Sequence, residues 1–327
     1  MQCPACNFEQ LAGNRFCEDC GTKLTLVTAP TADETAERCP HCGAQSSGDF
    51  CNQCGLERKS VVEDHLEVSI SPALGGVSDV GRQRHRNEDF LALASSAEAD
   101  VMVVCDGVSH SQQPDRAALA AATCLCGELA GAPKDAELRT AMKVALRHAD
   151  DTVRGVSTEA SYPGEPPETT VVAAARRGDE IVIGWVGDSR AYWADASQLR
   201  QLTVDHSWIN EVVAGGDMTF EQARNHPNAH GITRTLGGPA DGAAQDDPSI
   251  CKLKIGKDLV GPGWLLLCTD GFWDSHRDPA ELASFVTVRI AGHPAGEGAV
   301  VLARQLVAQA CQKRGHDNTT VALLRVD

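Results

Sequence analysis

Eight of the chain's fourteen cysteines stand as four CxxC pairs before residue 55, and no other feature restricts the fold so tightly. Cys3, Cys6, Cys17 and Cys20 form one set with ten residues between its pairs; Cys39, Cys42, Cys51 and Cys54 repeat it with eight. A CxxC turn aims two thiolates at one point, and two such turns joined by a short hairpin make the closed four-thiolate shell that structural zinc takes. Asn7, Gly21, Gly43 and Gly55 follow the second Cys of each pair and tolerate the left-handed backbone that turns amides back toward sulfur. The spacing predicts two small zinc ribbons, each around one Zn2+. Free thiols or a redox pair are the alternative, and eight cysteines in repeated register argue against it.

Ribbons of this size serve either nucleic acid or protein contacts. From Met1 to Ser60 there are eight acids and five bases, and a nucleic-acid reader needs a basic face. The whole chain carries a formal charge of −16, which excludes polyanion binding through a general basic surface. The expected partner of the ribbons is therefore a protein, for docking or regulation. No run approaches the roughly 18 apolar residues of a membrane helix, so no membrane association is expected. The opening MQCPACNFEQ lacks a basic stretch followed by an apolar one, which makes a reducing cytoplasm the expected location.

Periodicity and composition divide the chain into a double zinc ribbon (1–58), a linker (59–72) and a catalytic-sized domain (73–327). Thr25–Arg38, between the ribbons, reads as a polar spacer. In the long domain FLALA, VMVVCD, TTVVAAA, IVIGWVG, RAYWAD, WLLLCTD and TTVALLRV have strand length and β-branched content. Arg116–Gly131, Asp135–Val156, Pro279–Ala291 and Gly296–Lys313 carry Ala and Leu at helical spacing. Strands linked by hairpins, with long helices grouped between them, predict an α+β layered sandwich in which helices cover packed sheets.

Aspartates recur at strand ends. Asp106 ends VMVVCDG, Asp188 ends IVIGWVGDS, Asp270 ends WLLLCTDG, Asp317 opens DNTTVALL, and Asp89 precedes FLALA. One such residue is often a turn former. Several at a shared sheet end are costly unless paired or metal-bound, and acidic oxygens without His or Cys favour Mg2+ or Mn2+ over zinc.

The ordered set SDVGRQRHRNEDF, VVCDGVS, ETTVVAAA, WVGDSRAYW, LTVDHS, GITRTLGG, LLLCTDGFWD and DNTTVALL, running from Gly75 to Val326, resembles the metal-dependent type 2C (PPM) Ser/Thr protein phosphatases of bacterial type. The resemblance implies an αββα four-layer sandwich and metal-dependent hydrolysis of phosphoserine and phosphothreonine in proteins, by a bridging water or hydroxide on a binuclear Mn2+ or Mg2+ centre. It implies that Asp106 bridges two ions, that Gly107 offers its carbonyl, and that Asp89 acts largely through water with Glu88 beside it. Asp270 and Asp317 would hold the second ion, and Asp188 a third, weaker one. Arg84, five residues before Asp89, resembles the arginine that grips phosphate, for which a planar guanidinium fork is suited. Arg82 and Arg86 read instead as solvated loop charges. His110 is the candidate general acid, although its spacing from Asp106 departs from the usual family pattern; a metal-bound water is the alternative. Glu168 stands where the family often has Gly.

Cys105 and Cys268, beside the acidic motifs, read as buried small hydrophobes. The segment from His206 to Gly238 matches either the variable flap of bacterial members or a plain helical insertion. The implied partners are Ser/Thr-phosphorylated proteins, with a link to a Ser/Thr kinase. The alternative function is a pseudophosphatase scaffold that binds phosphoproteins without turnover.

Overall fold

The computed structural model describes residues 64–156, 166–238, 248–276, 278–294 and 296–327. The ribbon cysteines, Cys3 to Cys54, lie outside the described residues.

Eleven strands and seven helices are described. In chain order the first sheet-forming segments are β1 (His65–Ser71), β2 (Leu74–Asp79), β3 (Asp89–Ser95) and β4 (Asp100–Gly107). Two long helices follow, α1 (Pro114–Ala130) and α2 (Leu138–Arg154), then β5 (Thr169–Arg177), β6 (Glu180–Val186), β7 (Arg190–Ala194) and β8 (Leu199–Gln201). Two short helices, α3 (Trp208–Ala214) and α4 (Phe220–Ala223), precede β9 (Ser249–Lys254) and β10 (Gly263–Cys268). The chain closes with α5 (Asp270–Trp273), α6 (Pro279–Ala291), α7 (Ala299–Lys313) and β11 (Thr319–Val326).

The strands form two antiparallel sheets, ordered β1-β2-β11-β10-β7-β8 and β3-β4-β5-β6-β9. Side chains alternate along each strand, so a strand buried on both faces feeds two cores. On β4, Met102 and Val104 meet Leu265, Leu267 and Ala322 of the other sheet, whereas Val101, Val103 and Cys105 face α1 and α2. On β10 and β11, Leu266, Cys268, Val321 and Leu323 turn the other way, onto α6 and α7. The result is the expected helix–sheet–sheet–helix sandwich. Cys105 and Cys268 are fully buried in it, and burial pushes both thiols up, as small hydrophobes require.

One sequence boundary needs correction. The expected linker, 59–72, overlaps β1, which pairs with β2 through the register His65↔Asp79 to Ser71↔Leu74. HLEVSIS alternates Leu66, Val68 and Ile70 with polar residues, but as an edge strand it buries no residue fully, so its apolar signal is weak.

Among the described residues no helix is long and apolar enough to cross a membrane.

Candidate metal centre

Strand register places the acidic residues. Asp89, the first residue of β3, lies opposite Asp106 near the end of β4. In the other sheet Cys268 pairs with both Arg190 and Val321, which brings Asp188, Asp270 and Asp317 to the matching end. The two ends are joined through Asp89: Thr269 and Thr320 both donate their hydroxyls to its Oδ2, at 2.8 and 2.7 Å. Asp89 is fully buried, and burial pushes its carboxyl up to about 7.

The remaining carboxyls perturb one another. Burial raises Asp106 well above the usual range, reinforced by the charges of Asp89, Asp270, Asp317 and Asp188. Asp270 is raised in the same way, by burial and then by the charges of Asp188, Asp317 and Asp89. Asp188 is pushed up to about 6 by burial and the nearby Asp205.

Gly107 follows Asp106 in close quarters. A Cβ there would stand 2.3 Å from the Pro114 carbonyl oxygen and 2.8 Å from that of Glu88, so only glycine fits this crossing of the strand end and α1. The Gly107 N–H donates to the Glu88 carbonyl at 3.0 Å.

Arg84 joins the cluster. Its Nε and Nη2 reach Oδ1 and Oδ2 of Asp317, each at 2.9 Å, and its Nη1 donates to Ser109 Oγ at 3.1 Å. Ser109 in turn donates to Glu88 Oε2 at 2.6 Å. Burial raises the Glu88 carboxyl.

These residues suit divalent cations. Oδ1 of Asp89, of Asp188 and of Asp270 is buried without a hydrogen-bond partner among the described residues, and an unpaired buried acceptor is costly. A cation would satisfy these oxygens and remove the mutual repulsion. Among the described residues no three acidic, His or Cys side chains form a ready-made shell: Asp317 is turned onto Arg84, and Asp89 onto two threonines.

The family described as Protein phosphatase 2C matches residues 80–309. The chain belongs to the protein phosphatase 2C family. It is therefore an enzyme of the protein phosphatase class, and the Double zinc ribbon family matches its residues 3–55. A serine/threonine phosphatase, stp, of Listeria monocytogenes is 30% identical over 199 residues, covering 59% of this chain and 75% of its own. The solved serine/threonine phosphatase of S. agalactiae is similar with a TM-score of 0.65 at 25% identity, covering 78% of this chain and 98% of its own. The catalytic domain of the serine threonine protein phosphatase PstP, solved in complex with two manganese ions, shares the fold with a TM-score of 0.59 at 23% identity, covering 78% of this chain and 98% of its own.

Within this phosphatase the structure gathers Arg84, Asp89, Asp106, Gly107, Asp188, Asp270 and Asp317 at one end of the two sheets. His110 lies exposed on the loop after Asp106. The next residue, Ser111, is nearly buried and accepts the Glu168 N–H at 3.1 Å. Glu168 accepts the Thr235 hydroxyl at 2.7 Å, so it ties the ETTVV strand to the GITRTLGG segment. Arg86 corrects the sequence reading: it is not a solvated loop charge but 20% exposed, with Nη1 3.5 Å from the fully buried Asp115 carboxylate. The acid that answers it lies 29 residues on, at the start of α1, where sequence spacing carries no signal.

Thr269 and Thr320 were legible only as strand residues within quoted motifs; their grip on Asp89 needs both sheets. The same holds for the GDSR motif. Arg190 stacks on the Trp273 ring at 3.6 Å, is clamped by Asp205 through contacts of 2.6 to 3.1 Å, and neighbours a Trp273 Nε1–H that donates to the Asp188 carbonyl at 3.0 Å.

Proposed function

We propose that this chain hydrolyses phosphoserine and phosphothreonine in proteins at the acidic end of its two sheets. The observation that carries the reading is the gathering of five aspartates at one end of the two sheets, three with buried oxygens that have no partner among the described residues and one, Asp317, held by the guanidinium of Arg84.

Asp106, Asp270, Asp317 and the Gly107 carbonyl would hold two divalent cations, Mn2+ or Mg2+; Asp188 would contribute to a third position, and Asp89 and Glu88 would complete the acidic surroundings. When bound, such ions activate water for in-line attack and offset charge on the phosphoryl oxygens. The chain's own residues do the rest. Asp89, fixed by Thr269 and Thr320, keeps one oxygen facing the cluster. The Arg84 fork, which binds Asp317 here, would hold the substrate phosphate, a dianion near neutral pH. Ser109 holds the Arg84 fork from the other side. His110, on the exposed loop, donates a proton to the leaving serine or threonine oxygen.

The phosphatase domain takes in β1 from His65, and ribbons over 1–58 would hold two structural Zn2+ through Cys3, Cys6, Cys17, Cys20, Cys39, Cys42, Cys51 and Cys54. Their role is protein docking or regulation, in a cytoplasmic signalling setting that includes a Ser/Thr kinase.

Phosphate release from a phosphothreonine peptide by the full chain tests the activity. Turnover that requires Mn2+ or Mg2+ and stops with chelator supports it; no turnover with either ion overturns it.

A further inference from the structure

His206 occupies a crossing that the proposed chemistry does not use. It is the penultimate residue of the LTVDHS motif, immediately before Ser207, the N-cap of α3. From here the chain departs into the 208–231 insertion and returns at Ile232, which bridges Ser207. The return is secured on His206 itself, whose carbonyl accepts the Thr233 N–H at 3.0 Å.

The other side of His206 faces the turn between β6 and β7. Its own N–H donates to the Gly187 carbonyl at 2.9 Å, and its ring Nδ1 accepts the Gly187 N–H at 3.0 Å. Gly187 has φ +104 and a Cβ there would lie 2.6 Å from Thr170 Cβ, so the turn depends on glycine and on external bonds for its shape. The residue that follows is Asp188, whose Oδ1 is buried and without a hydrogen-bond partner among the described residues.

The Gly187 N–H calls for an accepting Nδ1, which in the neutral ring leaves the proton on Nε2, toward Ser249 Oγ at 2.9 Å at the start of β9; Arg234 Nη1, itself a donor, also lies 3.2 Å from Nε2 and competes for that position. The ring also lies parallel to Trp185 at 6.3 Å. Burial, and then the charge of Arg234, lower the imidazole to about 4, which keeps it neutral and able to accept at Nδ1.

We propose that His206 is a positioning residue whose ring latches the root of the 208–231 insertion to the Gly187–Asp188 turn, so that the aim of the Asp188 carboxyl depends on the seating of the insertion. This deepens the reading above, on which it rests for the part played by Asp188. Movement of the insertion by a bound phosphoprotein then reaches the acidic cluster through one side chain.

Calorimetric titration of the full chain with Mn2+ tests the latch. The step lost in Asp188→Asn identifies the binding event to follow. Asn places an acceptor where His206 has Nδ1, whereas Gln places one where it has Nε2. His206→Asn is expected to keep that step within about twofold, while His206→Gln and His206→Ala weaken it about tenfold, the scale of one lost hydrogen bond. The Asn and Gln pair carries the test should the Ala variant fail to fold. Variants that all melt earlier yet titrate like wild type overturn the latch alone, as does retention by Gln with loss by Asn. A wild-type chain without any Asp188-dependent step overturns the functional reading and the latch with it.

Discussion

Arg84 clamps Asp317 with two parallel bonds, Nε to Oδ1 and Nη2 to Oδ2, each at 2.9 Å. The residue proposed to hold phosphate is thus paired with one proposed to hold metal, and the two tasks compete. Arg84→Ala is expected to lower kcat/KM for a phosphopeptide by about 10- to 100-fold, the scale of a lost charge-assisted contact. The same substitution frees Asp317, so Mn2+ should bind more tightly in calorimetry. Weaker Mn2+ binding together with unchanged kinetics contradicts the competition.

Protons should leave when the cation arrives. Asp89 at about 7 and Asp188 at about 6 hold protons that their ordinary value of 3.8 would have released. Both values are raised, so the acids are largely protonated below pH 6 and ionised above 7. Mn2+ binding at pH 6 is expected to release protons and at pH 8 to release fewer. Calorimetry in buffers of different ionisation enthalpy measures this, and equal release at both pH values counts against it.

His206 gives an acid-side signature of the opposite sense. Its folded value, about 4, lies below the ordinary 6.5, so the unfolded chain binds the extra proton first. The stability it confers is complete above about 6.5 and is lost as pH falls toward 4. Melting curves of wild type and His206→Asn from pH 4 to 7 should converge at the acid end, because Asn has no proton to gain. A constant gap across this range contradicts the assignment.

The inter-sheet core should tolerate little. Leu265 is fully buried between the sheets, and Leu265→Ala is expected to cost about 2–5 kcal/mol in denaturant unfolding. A loss below about 1 kcal/mol would mean that the sheets repack freely, against the density of protein interiors.

Legibility followed burial. VMVVCD, TTVVAAA and WLLLCTD read as strands because residues on both of their faces are enclosed, so apolar character is continuous. HLEVSIS and SICKLK, edge strands β1 and β9, were missed because half of each faces outward. At the site, the aspartates were legible one by one, since each ends an apolar run or adjoins one. Their partners were not: Thr320 reaches Asp89 across 231 positions, Arg84 reaches Asp317 across 233, and Asp115 answers Arg86 from a helix start. Pairings of that range are set by which strands become neighbours, and local pattern carries no record of them.

The central claim is that the clustered aspartates form a divalent centre for phosphoester hydrolysis, and Asp106, opposite Asp89 and within the field of Asp270, Asp317 and Asp188, is its midpoint. The most direct test measures phosphate release from a phosphothreonine peptide by the full chain and by Asp106→Asn across a Mn2+ titration. The account predicts saturable, Mn2+-dependent turnover in the wild type and a loss of at least about 100-fold in the variant at every Mn2+ concentration. Equal turnover by the two proteins, or turnover indifferent to Mn2+ and to chelator, would contradict it.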